Sequence, residues 1–315
     1  MNITFFRGEV RNNYKFVNSK MFLIPVTLSI IAIAGIIFYN YSVAYRPLVL
    51  QLNGDVLKEI FAKLELKQVM NISSVCKEWY KLANDDLLIK KLIYQKNAIN
   101  PVHLNKFFGS DTITSEEIEN AFESLPVNIY EILKNSNPAF LKKMIMDTHT
   151  LVWIPKTIKG KPLTINTFRG LLKQKQLFPV SDGYQYIWHK IVNQMGEKPV
   201  TPGFVLMSRA VLPGSTNKTY AEQKILVCSM NRNDQILLEI PTLIETIICI
   251  HLNYLKTGEF NFNDKPLMYT RCNESIDDFQ LIVGAFDSSG LYIGSCENIK
   301  RDYIGMGSLI LCKKI

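Results

Sequence analysis

The chain has 315 residues and a formal charge of +8, with 47% hydrophobic and 20% charged residues. That balance excludes disorder over most of the length and allows two folded units plus a tail. Half of the charge is local: Arg7, Arg11, Lys15, Lys20 and Arg46 stand against the single acid Glu9 in the first 46 residues. Beyond them no basic run exceeds Lys90-Lys91 or Lys313-Lys314, so the dense basic, aromatic-laced patch of a nucleic-acid binder is missing and no nucleic-acid partner is expected.

The basic tail, residues 1–20, leads into residues 21–45, which contain no charged side chain. Phe22 to Phe38 is almost continuously apolar, about long enough to span a bilayer as a helix. Tyr39, Tyr41 and Tyr45 gather at its far end as an interfacial aromatic belt would. The expectation is a single-pass membrane anchor. The rival is a cleaved signal peptide, for which Ser42-Val43-Ala44 offers small residues in a cleavage-like arrangement, although the apolar run exceeds the usual length.

Residues 46–93 predict three short helices. Leu57, Ile60, Phe61 and Leu64 fall on one helical stripe, and Asn53 or Asp55 can cap its start. Leu66 to Asn71 fits a second helix. Val75, Trp79 and Leu82 share a face of a third, which Ser73 or Ser74 can cap. Helices this short bury too little to stand alone, so exposed apolar residues here point to a docking surface.

The combined pattern L-x-x-D-V-L-x-x-I-F-x-x-L, a short gap, then V-C-K-x-W, running from Leu52 to Trp79, resembles the F-box. The resemblance implies a module that binds a Skp-type adaptor of a cullin-type ubiquitin ligase. The contacts it implies are Leu52, Asn53, Val56, Leu57, Ile60, Leu64, Val75, Cys76, Lys77 and Trp79. Two positions depart from the family pattern. Asn53 stands where a proline that belongs to the adaptor contact is usual, and Ile89 where tryptophan is common, which implies weaker docking.

Residues 94–147 read as a helical connector, with a Thr114-x-x-Glu117 capping box opening one helix. From 148 to 315 the pattern changes to an α+β domain with a mainly antiparallel sheet. Strands are expected at 151–158, 203–212, 267–272, 279–286, 291–296 and 306–313. Helices are expected from Thr164 or Asn166, over 184–195, over 219–230 behind the Thr219-x-x-Glu222 box, and over 241–258. Asp287 to Gly290 reads as a hairpin connection, and no leucine-rich or propeller repeat is present.

The stretches LVWIPKTIKGKPLTINTFRGLL (151–172), FVLMSRAVLPGSTNKTYAEQKILV (204–227) and LMYTRCNESIDDFQLIVGAFDSSGL (267–291) resemble the C-terminal domain of F-box proteins of obligate intracellular, chlamydia-like bacteria. That likeness implies an effector acting in a host cell, and no mechanism. The six cysteines (76, 228, 249, 272, 296, 312) include no C-x-x-C pair, so neither a metal nor another cofactor is expected, and a reducing compartment fits best. Three readings follow. The first is a membrane-anchored, non-enzymatic adaptor that recruits a protein substrate through residues 148–315. The alternative is a cysteine hydrolase built on Cys272, His251 and Asp277. A tethered scaffold with a degenerate F-box is a third reading.

Overall fold

A computed structural model describes residues 54–72, 85–140, 143–178, 182–230, 237–262 and 267–311. The expected membrane span at 21–45 lies outside them, and among the described residues no helix is long and apolar enough to cross a membrane. The described residues from Leu57 onward belong to one compact unit.

Helix α1 is Gly54–Lys63, α2 is Leu66–Ile72 and α3 is Asp86–Leu92. Phe61, Leu66 and Val69 are buried in the common core with Ile89 and Leu92, while Lys58, Glu59, Ala62 and Lys63 face water. The apolar stripe read in the sequence is therefore anchored by Phe61. Asp85 caps α3, its carboxylate accepting from Leu88 N at 2.9 Å, which satisfies a helix-end donor and suits the positive end. The chain leaves α3 through a π turn, Ile93–Asn97.

The connector carries α4 (Pro101–Phe108), α5 (Ser115–Ser124) and α6 (Ile129–Lys134), followed by the single turn α7 (Ile145–Thr148). Thr114 and Glu117 form the capping box expected of α5. The connector is hydrogen-bonded to the next domain: Ile99 N donates to Leu151 O and Trp153 N to Ile99 O, both at 2.8 Å.

In chain order the following elements are strands β1 (His149–Ile154), β2 (Thr157–Ile158) and β3 (Lys161–Pro162), helix α8 (Ile165–Lys175), β4 (Tyr184–Ile187) and α9 (His189–Met195). Then come β5 (Gly203–Ser208), α10 (Tyr220–Met230), β6 (Leu238–Glu239) and α11 (Leu243–Thr257). The chain ends with β7 (Tyr269–Ile276), β8 (Phe279–Asp287), β9 (Gly290–Cys296), β10 (Ile304–Gly305) and β11 (Leu309–Leu311). They build two principal sheets where one was expected: an antiparallel β1-β5-β11-β6 sheet and a mixed β10-β7-β8-β9-β4 sheet. Helix α11 packs against β1 of the first and against β7 and β8 of the second. Ten of its residues are buried all round the helix, including polar Glu245, Thr246, His251 and Asn253, as a central helix between sheets requires.

Several sequence expectations are corrected. Residues 184–195 are not one helix: Tyr184–Ile187 is a strand parallel to β9, and Trp188, in extended conformation, separates it from α9. Gly290 accommodates that pairing, because a Cβ there would lie 2.6 Å from Gln185 N. The strand expected at 151–158 breaks after Ile154, since Pro155 offers no backbone donor. The strand expected at 203–212 ends at Ser208, where Arg209 turns back to the carbonyls of Met146, Asp147 and His149. Of that expected at 306–313, residues 306–308 are not strand and Leu309–Leu311 is, while 312 and 313 lie outside the described residues.

Candidate docking interface

Of the candidate contacts, Val56, Leu57, Ile60 and Leu64 lie on or next to α1. Ile60 and Leu64 are half-buried, and Leu64 packs on the core, so each keeps part of its apolar surface in water. Leu52, Asn53, Val75, Cys76, Lys77 and Trp79 lie outside the described residues. The candidate docking face thus shows Ile60 and Leu64, backed by Phe61 and Val69, whose burial fixes how they are presented. Residues 49–91, which include these positions, match the family described as F-box domain, so the chain contains an F-box domain that covers α1, α2 and almost all of α3. No curated protein and no solved structure matches the chain.

Two lysines tie this module to the rest. Lys96 Nζ donates to Leu64 O at 2.9 Å, next to the C-terminal end of α1. Lys256, near the end of α11, donates to the carbonyls of Lys96, Asn97 and Ala98 at 3.0, 3.3 and 3.1 Å. Ammonium groups at helix-end carbonyls satisfy acceptors that lack an intrahelical partner and complement the negative helix end. Burial, with Arg209 nearby, lowers the Lys256 pKa to about 8. An ion pair between Lys67 on α2 and Asp147 on α7 adds a peripheral link. No sequence pattern signalled the Lys256 contact, because 158 to 160 positions separate its partners.

The hydrolase arrangement does not assemble. Cys272 is fully buried, its thiol meets Thr246 Oγ1, and burial followed by Glu274 raises its pKa well above the ordinary range. A thiol kept neutral is not a nucleophile. His251 directs Nδ1 to Ile247 O (2.9 Å) and Nε2 to Gly183 O (3.2 Å). The rings of Phe168, Phe178, Tyr184 and Phe286 surround it. Burial lowers its pKa to about 4 despite those carbonyls. Asp277 lies at the exposed β7–β8 turn and pairs with Lys190.

A second polar cluster escaped sequence reading. His149 bridges Thr148 Oγ1 (2.9 Å) and Ser308 Oγ (3.0 Å), and burial with nearby Arg209 lowers its pKa to about 3. Its members are all buried and its Nδ1 partner is a hydroxyl, not a carboxylate, so it joins β1 to the last strand rather than forming a charge-stabilised triad. Arg271, also without exposed surface, donates to Lys218 O (2.9 Å), Gln223 Oε1 (2.7 Å) and Ile299 O (2.7 Å). It pins the start of α10 and the loop after β9 to the mixed sheet. The two arginines thus serve separate contacts: Arg209 serves β1 and Arg271 serves α10. Among the described residues no group of His, Cys, Asp and Glu has the arrangement of a metal site.

Proposed function

We propose that the protein is a substrate adaptor of a cullin-type ubiquitin ligase, its F-box holding a Skp-type adaptor while residues 148–315 recruit the protein to be modified. The F-box match at 49–91 carries this reading. It is supported by the part-exposed Ile60 and Leu64, presented by a helix whose other face is locked into the core. In such an assembly the ligase supplies the chemistry, and this chain supplies proximity between the charged enzyme and a bound target.

The lysine links give the division of labour a physical basis. A substrate held by the C-terminal domain is productive only if its distance from the ligase is held steady, and Lys96 with Lys256 couples α1 to α11 through the connector. The apolar segment 21–45 is proposed as a membrane anchor, on its length and lack of charge. An origin as an effector of a chlamydia-like bacterium is proposed on the likeness of the three C-terminal stretches. The adaptor reading is tested by expressing the chain in eukaryotic cells and identifying co-purifying proteins. Enrichment of the Skp-type adaptor and the cullin is expected, and a preparation free of both contradicts the reading.

A further inference from the structure

The outer face of the mixed sheet carries a row of tyrosines. Tyr186 on β4 pairs with Tyr292 on β9, Tyr292 with Gly284 on β8, and Gly284 with Tyr269 on β7. Residues opposite one another across strands share a face. The rings fill the row: Tyr186 stacks on Tyr292 at 5.1 Å, and Tyr292 meets Tyr269 edge-on at 5.4 Å across Gly284. Tyr303, just before β10, extends it with its ring 5.9 Å from Tyr269. A Cβ on Gly284 would fall 2.3 Å from Met268 O, so the glycine is needed where these strands approach closely. Tyr186 and Tyr303 are 44% and 41% exposed, so the row's two ends are open to solvent.

Burial keeps the phenols of Tyr269 and Tyr292 in their neutral, protonated form. Burial first, then Tyr292, Tyr303 and Asp287, raise the Tyr269 phenol, and burial, Tyr186, Cys296 and Tyr303 raise Tyr292. Asp287 accepts from Ser289 N and Oγ and pairs with no cation among the described residues. Five other aromatic side chains among the described residues have a lysine or arginine over the ring, and none of these four tyrosines does. Arg301 and Asp302, next to Tyr303, are both exposed and cancel in charge.

We propose that this tyrosine row is the substrate-docking face of the C-terminal domain and receives an extended, arginine-bearing segment of the recruited protein. Ring faces carry negative quadrupole density and planar guanidinium groups stack on them, with Asp287 adding a carboxylate beside the row. Tyr186 to Tyr269 spans three strand spacings, about 14 Å, or roughly four extended residues. Single-stranded nucleic acid would also stack on aromatic rings, but it requires a cationic track for its phosphates, and the row has none. The inference deepens the adaptor reading by giving the substrate a chemistry.

The test uses the full-length chain and fluorescein-labelled Gly-Ser peptides that carry either arginines or glutamates at the same positions, with labelled oligouridylate as a third probe. The arginine peptide is expected to bind. Tyr186→Ala should weaken it about tenfold, Tyr186→Phe should leave it within about twofold, and Asp287→Asn should weaken it severalfold. Because Tyr186 is an exposed edge residue, its loss leaves the sheet intact, whereas Tyr292→Ala also removes packing. Equal binding of the glutamate peptide or oligouridylate overturns the proposal, as does arginine-peptide binding that Tyr186→Ala leaves unchanged. Capture of the Skp-type adaptor by the same variants is measured in parallel, so failure of the F-box reading appears there and not in the peptide titration.

Discussion

Replacing Lys256 with methionine keeps most of the aliphatic stem and deletes the ammonium that bonds three successive carbonyls, those of Lys96, Asn97 and Ala98. A hydrogen bond to a charged group contributes about 1.5–3 kcal/mol net, and three converging on one ammonium add less than their sum. The variant also removes a half-buried charge whose desolvation opposes folding, as its lowered pKa shows. The expected net loss is therefore about 2–4 kcal/mol, near the cost of leaving helix-end acceptors without a partner. It should appear as a lower denaturation midpoint with an unchanged denaturant slope, followed at neutral pH by helical circular dichroism. Proteolysis should open the chain between α3 and α4 before the sheets. Ubiquitin transfer to a bound substrate should fall while capture of the Skp-type adaptor persists. A stability loss under about 1 kcal/mol, with transfer intact, would refute the claim that Lys256 couples the two regions.

Acid provides a second test. Burial holds His149 and His251 at about 3 and about 4, against an ordinary 6.5. The unfolded chain takes up both protons first, so stability is present above pH 6.5 and is lost as pH falls toward the folded values. The loss between about pH 6 and about pH 4.5 should be about 3–4 kcal/mol, and a flat profile of urea midpoints across that interval would contradict the burial argument. Gly284→Ala places a Cβ against the Met268 carbonyl and should cost about 2–4 kcal/mol, read by thermal unfolding; an unchanged midpoint would mean the strands yield freely. Among the described cysteines, exposed Cys228 should react with a thiol reagent in the native protein while Cys249 and Cys272 react only after unfolding, as peptide mass mapping would reveal. If residues 21–45 anchor the protein, full-length chain should resist carbonate and high-salt extraction while 46–315 is released; a mature N-terminus at Tyr45 would instead establish a cleaved signal peptide.

What was legible in the sequence was local. The F-box could be read because its signature occupies one short stretch. The Thr114–Glu117 and Thr219–Glu222 boxes hold, since capping depends on residues three apart. Helix α11 was legible from the proline at its start and Gly258 at its end, with φ of 74° at the cap. Its true cap is Thr242, with Glu245 completing the box, so Pro241 precedes the helix rather than lying in its first turn. Non-local features stayed hidden. Tyr184–Ile187 has apolar spacing compatible with either period, and only its parallel partner β9, more than a hundred residues away, decides for a strand. The tyrosine row is invisible for the same reason: its members are scattered from Tyr186 to Tyr303 and meet only through strand register. Cys272, His251 and Asp277 show the reverse error, in which residue types suited to catalysis fold into unrelated surroundings.

The central claim is that this chain joins a ubiquitin ligase through its F-box. Its most direct measurement is binding of purified Skp-type adaptor to the protein by isothermal titration, alongside a Val56→Ala, Trp79→Ala double variant. A one-to-one complex is predicted for the parent, with affinity lost in the double variant and the C-terminal domain still folded by circular dichroism. Absence of binding by the parent, or equal binding by the double variant, would contradict the account.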